Sequence, residues 1–332
     1  MWTPRTYSVA VLIMLVSMIC WGSWDNTQKI DSHWRFELFY WDYIWGILIC
    51  AILFGLTLGR THPGSPESFF HNLAAANFHS VIEAFVGGVI FNLGNLLLVA
   101  AISIAGMAVA FPIGSGLALV IGAVLNYVIT PSGNPLFLFG GIILICGAIL
   151  TDAMAYRGLR RGAKADKKGI VLSLLCGVLI GLFYPFVAKA MTGPRHLGPY
   201  TVYLIFAVGA VISNFAFNYA FMRRPIAGPT LTFRDYLAGR LPQHGWGFLG
   251  GLIWGVGTIC SYAVASVPLV GPATSFSMSE GNTMISAFWG VVVWKEFRGA
   301  SRSVRRLLAL MFALFILGLI SIGIAPIVHV QG

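Results

Sequence analysis

Apolar residues run through this chain in long blocks separated by short polar or charged stretches. Ten blocks stand out, at 7–24, 39–58, 81–101, 107–129, 136–154, 169–191, 200–221, 246–267, 270–294 and 306–328. Each approaches the roughly 20 residues that a helix needs to cross a bilayer, so the pattern predicts ten transmembrane helices. The third and fourth, and the eighth and ninth, are joined by very short turns.

One motif in these blocks occurs twice. Phe85-x-Gly87-Gly88-x-Ile90-Phe91-x-x-Gly94 returns as Phe248-x-Gly250-Gly251-x-Ile253-Trp254-x-x-Gly257, a shift of 163 positions (248 less 85). Gly106, Phe111 and Gly116 return as Gly271, Phe276 and Gly281, shifted by 165 (276 less 111). A duplication with five spans in each copy forces the second copy into the membrane upside down. The expected fold is therefore an all-α integral membrane protein of two inverted five-helix repeats, the layout of transporters whose site lies near the midplane. The halves are 1–155 and 169–332, joined by a basic cytoplasmic linker at 156–168. Gly87-Gly88 and Gly250-Gly251 lie within spans, where small residues allow close helix packing and also leave the backbone free to flex along a solute path.

Composition sharpens this picture. Of 332 residues 58% are hydrophobic and only 10% charged, against about 25% charged in soluble domains. The net charge of +10 would suggest a nucleic-acid partner if it were spread evenly, and it is not. All but four of the 21 basic residues (Arg5, Arg60, Lys189 and Arg195) fall in the loops after spans 1, 5, 7 and 9 or at the ends of those spans. The positive-inside rule puts those loops in the cytoplasm and both termini outside, which describes a multi-pass protein of the cell membrane with no nucleic-acid partner. The first block is too long for a signal peptide and lacks a small-x-small cleavage site. The five cysteines lie inside spans without metal spacing and read as packing residues.

Several segments resemble the ureide permeases: Gly87-Gly88-Val89-x-x-x-Leu93-Gly94-Asn95-Leu96, Ile121-Gly122-x-x-Leu125-Asn126-Tyr127, and Phe288-Trp289-Gly290-Val291-Val292-x-x-x-Glu296-Phe297-Arg298-x-x-Ser301-Arg302. Asp42-Tyr43 and Gly245-Trp246 fit as well, and the matches follow one another over most of the chain. The resemblance implies the ten-helix fold of the drug/metabolite transporter superfamily. It also implies proton-driven transport of allantoin, uracil and similar heterocycles, with glucose and rhamnose porters as relatives. Plant members of the family carry a longer central loop with a Walker-like motif. Residues 156–169 hold no G-x-x-x-x-G-K-[ST], so nucleotide control through that loop is not expected.

A charge in hydrocarbon costs a few kcal/mol or more and seldom persists without a role. Glu280, ten residues into the ninth span, is the mid-membrane exception among the 11 acids, with Ser275, Ser277, Ser279, Asn282 and Thr283 around it. It is expected to contact solute or carry the coupling proton, with Ser279 and Asn282 beside it. Glu83, a few residues into span 3, is either a first-turn carboxylate favoured by the helix dipole or a second proton group. Asn92 and Asn95 offer donor and acceptor together and suit either a solute with alternating C=O and N–H groups or an interhelical bond. Trp21, Trp254 and Tyr184 are candidate aromatic contacts, and packing explains each equally well. Asp25 and Lys29 have i,i+4 spacing for a salt bridge and would form part of a cytoplasmic gate. Lys189 holds the equivalent late position in span 6.

The leading reading is thus a secondary transporter for a small polar solute, with a proton as coupling ion, no cofactor or metal, and a monomer or homodimer in the lipid bilayer. A sugar porter or an uncoupled facilitator of the same superfamily is the alternative. A membrane enzyme is disfavoured, because all seven histidines lie outside the predicted spans and neither D-x-x-x-D nor H-E-x-x-H occurs.

Overall fold

The computed structural model describes residues 1–31, 33–60, 68–105, 107–159, 167–226 and 228–328, and no strand occurs among them. Helices follow one another as α1 (Tyr7–Trp21), α2 (Asn26–Ile30), α3 (Phe36–Leu56), α4 (Phe69–Ala75), α5 (Phe78–Ala105), α6 (Met107–Ile129) and α7 (Pro135–Leu159). The second half holds α8 (Lys167–Ala190), α9 (Pro199–Arg223), α10 (Phe233–Leu237), α11 (Leu241–Ala265), α12 (Gly271–Ser279), α13 (Asn282–Phe288) and α14 (Arg302–Ile324).

Among the described residues, eight helical segments are long and apolar enough to cross a membrane. Lipid offers the backbone no hydrogen bonds, so these segments close their own. Side chains such as Leu12, Val128, Ile143 and Leu150 stay exposed on their outer faces, as lipid-facing positions do. The protein is an all-helical integral membrane protein. Local chemistry sets the ends: Thr6 and Ser301 cap α1 and α14 by accepting from Val9 and Val304 amides, and Gly22 closes α1.

The fourth predicted span coincides with α6, Met107–Ile129. The sequence pattern missed one feature. The ninth, expected as one helix over 270–294, is broken into α12, α13 and a π-helical turn, Trp289–Val293. At the break the Gly281 amide bonds the Met278 carbonyl (3.1 Å) and the Met284 amide bonds the Gly281 carbonyl (2.9 Å). These tighter i→i+3 bonds interrupt the α-helical ladder. Gly281 also fits where a Cβ would press on Met18 and Leu319. The predicted linker at 156–168 is partly helical, since α7 runs to Leu159 and α8 starts at Lys167; residues 160–166 lie outside the described residues, as does Gly106.

The long helices assemble in two groups. In one, α5 packs on α8 and α9, and α6 on α8; in the other, α11 packs on α3 and α1, and α1 on α12 and α13. Helices α7 and α14 pair at the flank, meeting at Gly141 and Gly318, where a Cβ on either would strike the other's carbonyl. Glycine contacts in the two groups recur at a constant shift. A Cβ at Gly88 would overlap the Phe206 carbonyl and one at Gly209 the Phe85 carbonyl. Likewise a Cβ at Gly251 would overlap the Tyr43 carbonyl and one at Gly46 the Phe248 carbonyl. Every residue of the first set, or its contact, stands 163 positions from its counterpart in the second.

Candidate functional site

A cavity of about 470 Å³ lies between the two groups. Its walls differ in chemistry. The α1/α3/α11–α13 group contributes Trp21, Trp24, Asp25, Gln28, Lys29, Arg35, Trp254, Glu280, Asn282 and Ser286; the other contributes chiefly Phe91, Leu98, Val99, Ile102, Ile180 and Phe183, with Asn95 and Ser115 as its polar members. The cavity runs from mid-helix residues to Lys29 and Arg35, and so reaches the face that carries the basic loops.

Trp254 is the hub of the cavity floor. Its ring stacks on Phe91 (centroids 4.3 Å apart, 29° between planes) and lies nearly parallel to Trp21 (5.8 Å, 8°) and Phe206 (6.0 Å, 14°). Trp21 is fixed by its indole N–H, which donates to Thr258 Oγ1 (3.2 Å). The tight helix approach at Gly251 and Gly257 makes this possible, because a Cβ at Gly257 would collide with Trp21.

Glu280 follows α12 directly, in the break before α13, and is 5% exposed on the cavity wall. Among the described residues no hydrogen-bond donor and no basic side chain reaches its carboxylate. The C-terminal end of α12 carries the negative end of its dipole, which disfavours an anion there. A buried carboxyl so placed is available to a proton or a ligand rather than to the scaffold. Asn95, opposite, donates to Tyr40 Oη (3.2 Å) and faces the cavity. Asn282 lines it too, its Oδ1 accepting from Thr283 (3.3 Å).

Four predicted site residues stand elsewhere. Asn92 donates to Ser213 Oγ (2.9 Å) inside the α5/α9 contact and does not line the cavity, because the roughly 60° of rotation between positions three apart on a helix turns it toward α9 while Asn95 faces inward. Ser279 and Tyr184 are completely buried beyond the floor. Ser279 bonds Ser17 Oγ (2.9 Å) and Ser261 Oγ (3.2 Å), and Tyr184 bonds Ser261 Oγ (2.8 Å). Glu83 is ion-paired with Lys189 (2.8 Å) away from the cavity.

Asp25 and Lys29 do line the mouth, yet they do not pair with each other. The Lys29 ammonium pairs with Glu296 and sits over the Trp294 ring (4.7 Å), while Asp25 accepts from Asn26 (3.2 Å). Glu296 also accepts from Tyr156 (2.9 Å), and Trp289 and Trp294 donate to Ser23 (2.9 Å) and Asn26 (2.5 Å). The end of the broken helix is thereby stapled to α2 and to the turn that precedes it. Nearby, Asp42 accepts from Tyr236 (2.7 Å) and contacts His244 Nδ1 (2.9 Å), which ties α10 to α3 and α11. Burial and the Asp42 carboxyl push the Tyr236 hydroxyl above its ordinary range, so it remains a donor.

The sequence reading did not single out Phe91, Phe183 or Ser115 for the cavity. For two of them a signal existed in the repeat: Phe91 stands 163 positions before Trp254, and Ser115 stands 165 before Glu280.

Comparison with known proteins adds the following. The family described as Ureide permease matches residues 39–157 and 147–325. Ureide permease 1 of Arabidopsis thaliana is 25% identical over 92% of this chain and 94% of its own length; Ureide permease 2 of the same plant is 24% identical over the same shares. Glucose uptake protein GlcU of Bacillus subtilis (strain 168) is 27% identical over 74% of this chain and 78% of its own. A solved crystal structure shares the fold with a TM-score of 0.63 at 15% identity, over 95% of this chain and 96% of that one.

Proposed function

Because the chain belongs to the ureide permease family, we propose that it carries a small polar solute, a ureide or nucleobase, across the cell membrane by alternating access, with a proton as the coupling ion. Transport rather than catalysis is what the family relation indicates. The observation that carries the finer reading is the cavity between the helix groups, whose floor holds the buried Glu280, without a hydrogen-bond or ion-pair partner among the described residues. The rings of Trp21, Trp254 and Phe91 offer apolar surface for a flat solute, and Asn95 offers both donor and acceptor to its edge. Glu280 would take up a proton as solute binds, which removes the electrostatic penalty of carrying a carboxylate through a closed, dry intermediate.

The architecture we propose is ten spans in two inverted halves, 1–155 and 169–332, with α6 and the α12–α13 segment as the fourth and ninth. The reciprocal glycine contacts at a constant shift of 163 support it. So does the exchange of partners, in which α5 of the first half packs on α8 and α9 of the second while α11 packs on α1 and α3. With the basic loops in the cytoplasm and the termini outside, the cavity faces inward.

The similarity to a glucose uptake protein favours a sugar as the second reading; aromatic floors serve sugars and flat heterocycles alike. Uptake of allantoin, uracil, glucose and rhamnose into proteoliposomes, with and without an inward proton gradient, tests both. Gradient-driven accumulation of allantoin or uracil supports the first reading, and accumulation of a sugar alone moves the solute to the second. Uptake of none of them refutes both.

A further inference from the structure

The helix group that lines the open mouth on one side has a counterpart that is closed on the other. Leu98, Val99 and Ile102 of α5 form the apolar wall of the mouth. The shift of 163 that relates the glycine contacts carries these three to Ser261, Tyr262 and Ala265 of α11. All three are now buried, at 0%, 0% and 7% exposure. Tyr184 of α8 covers the first two: its hydroxyl bonds Ser261 Oγ (2.8 Å) and its ring meets Tyr262 edge-on (5.5 Å, 75°). Tyr184 belongs to the α5/α6/α8/α9 group, and Ser261 and Tyr262 to the other, so these contacts join the two groups across the space beyond the cavity floor.

This layer is not built as a permanent core would be. Tyr262 Oη is buried without a hydrogen-bond partner among the described residues, and Ser261 and Ser275 hold hydroxyls that lipid-sealed packing does not need. Buried hydroxyls are costly when dry and lose little when hydrated. Polar groups at an interface between bodies, rather than apolar ones, suit a surface that is alternately closed and wet.

We infer that Ser261, Tyr262 and Ala265 line a second vestibule, on the face opposite the basic loops, and that the Tyr184–Ser261 bond latches it shut in the present state. This rests on the alternating-access reading above. In that cycle the two helix groups tilt about the Trp254–Phe91 floor, so that the mouth at Leu98 closes as the one at Ala265 opens.

The test uses the full-length protein with its five cysteines replaced and a single new thiol, Leu98→Cys or Ala265→Cys, exposed to a membrane-impermeant maleimide. Intact cells present one face and inverted vesicles the other. Leu98→Cys should react from the basic face and Ala265→Cys, more slowly, from the opposite one. Adding Tyr184→Phe keeps the ring and removes the hydrogen bond; it should raise the Ala265→Cys rate about fivefold, the population shift expected for one hydrogen bond of ordinary net strength, and lower the Leu98→Cys rate. Ser261→Ala leaves the Tyr184 hydroxyl its contact with the Ser261 carbonyl (3.3 Å), so it should shift both rates in the same direction by a smaller factor, and it serves as an independent check on folding. If Ala265→Cys is inert from both faces in every variant while Leu98→Cys reacts and uptake persists, the second vestibule is refuted and the transport reading survives. If Leu98→Cys is itself inert from the basic face, both fall.

Discussion

Replacing Glu280 with glutamine should separate solute movement from energy coupling. The substitution is nearly isosteric, and no hydrogen bond or ion pair among the described residues is lost with the carboxylate. It removes an anion from the C-terminal end of α12, a placement that costs roughly 0.3–1 kcal/mol when ionised. Thermal stability in detergent should therefore hold or rise slightly, which separates function from folding. Glu280 is the carboxyl on the cavity floor, since Asp25 stands at the mouth and accepts from Asn26. The expected stoichiometry is thus one proton per solute. A gradient of one pH unit then supplies about 1.4 kcal/mol and supports roughly tenfold accumulation of a neutral solute on the alkaline side with the membrane potential clamped. In proteoliposomes the glutamine variant should lose this accumulation while retaining counterflow exchange of labelled for unlabelled solute. Undiminished accumulation by the variant would refute the coupling role. Loss of exchange as well, in a stably folded protein, would make Glu280 a solute ligand instead.

Three other outcomes follow from the packing. Gly88→Ala and Gly251→Ala each drive a methyl into a backbone carbonyl that cannot rotate away; each should destabilise by about 1–3 kcal/mol in a thermal melt, whereas Gly245→Ala, with nothing within 4 Å of its Cβ, should melt with the parent. Asn95→Ala should raise the KM for transport about two- to tenfold through loss of a solute hydrogen bond, while Asn92→Ala, which breaks the bond to Ser213, should cost about 0.6 kcal/mol of stability and leave KM unchanged. Glu83→Gln should leave proton-driven accumulation intact, because its partner Lys189 is exposed and the pair lies off the cavity; a loss would restore Glu83 as a coupling group.

Eight membrane-length helices were legible because hydrocarbon imposes the same demand on every one of them. Even where a site residue escaped attention its position was encoded, as with Phe91 opposite Trp254. The break at Glu280 was half visible: Gly281 and the serines signalled a weakened helix, but the apolar block continued to residue 294 and read as one span. Asn92 and Asn95 looked alike in sequence, and only the rotation of α5 against α9 sent one to Ser213 and the other to the cavity. Lys29 had an eligible partner four residues away and found a better one 267 residues on.

What the chain determined by itself is therefore its class, most of its long apolar helices and the repeated residue pattern, since each follows from local composition and a repeat of residue types. The tertiary structure decided which polar groups line the cavity and which are buried beyond its floor. That choice depends on helix rotation and on how two helix groups meet, and both arise from contacts between residues far apart in the chain, such as Tyr184 with Ser261, 77 positions on, and Phe91 with Trp254, 163 positions on.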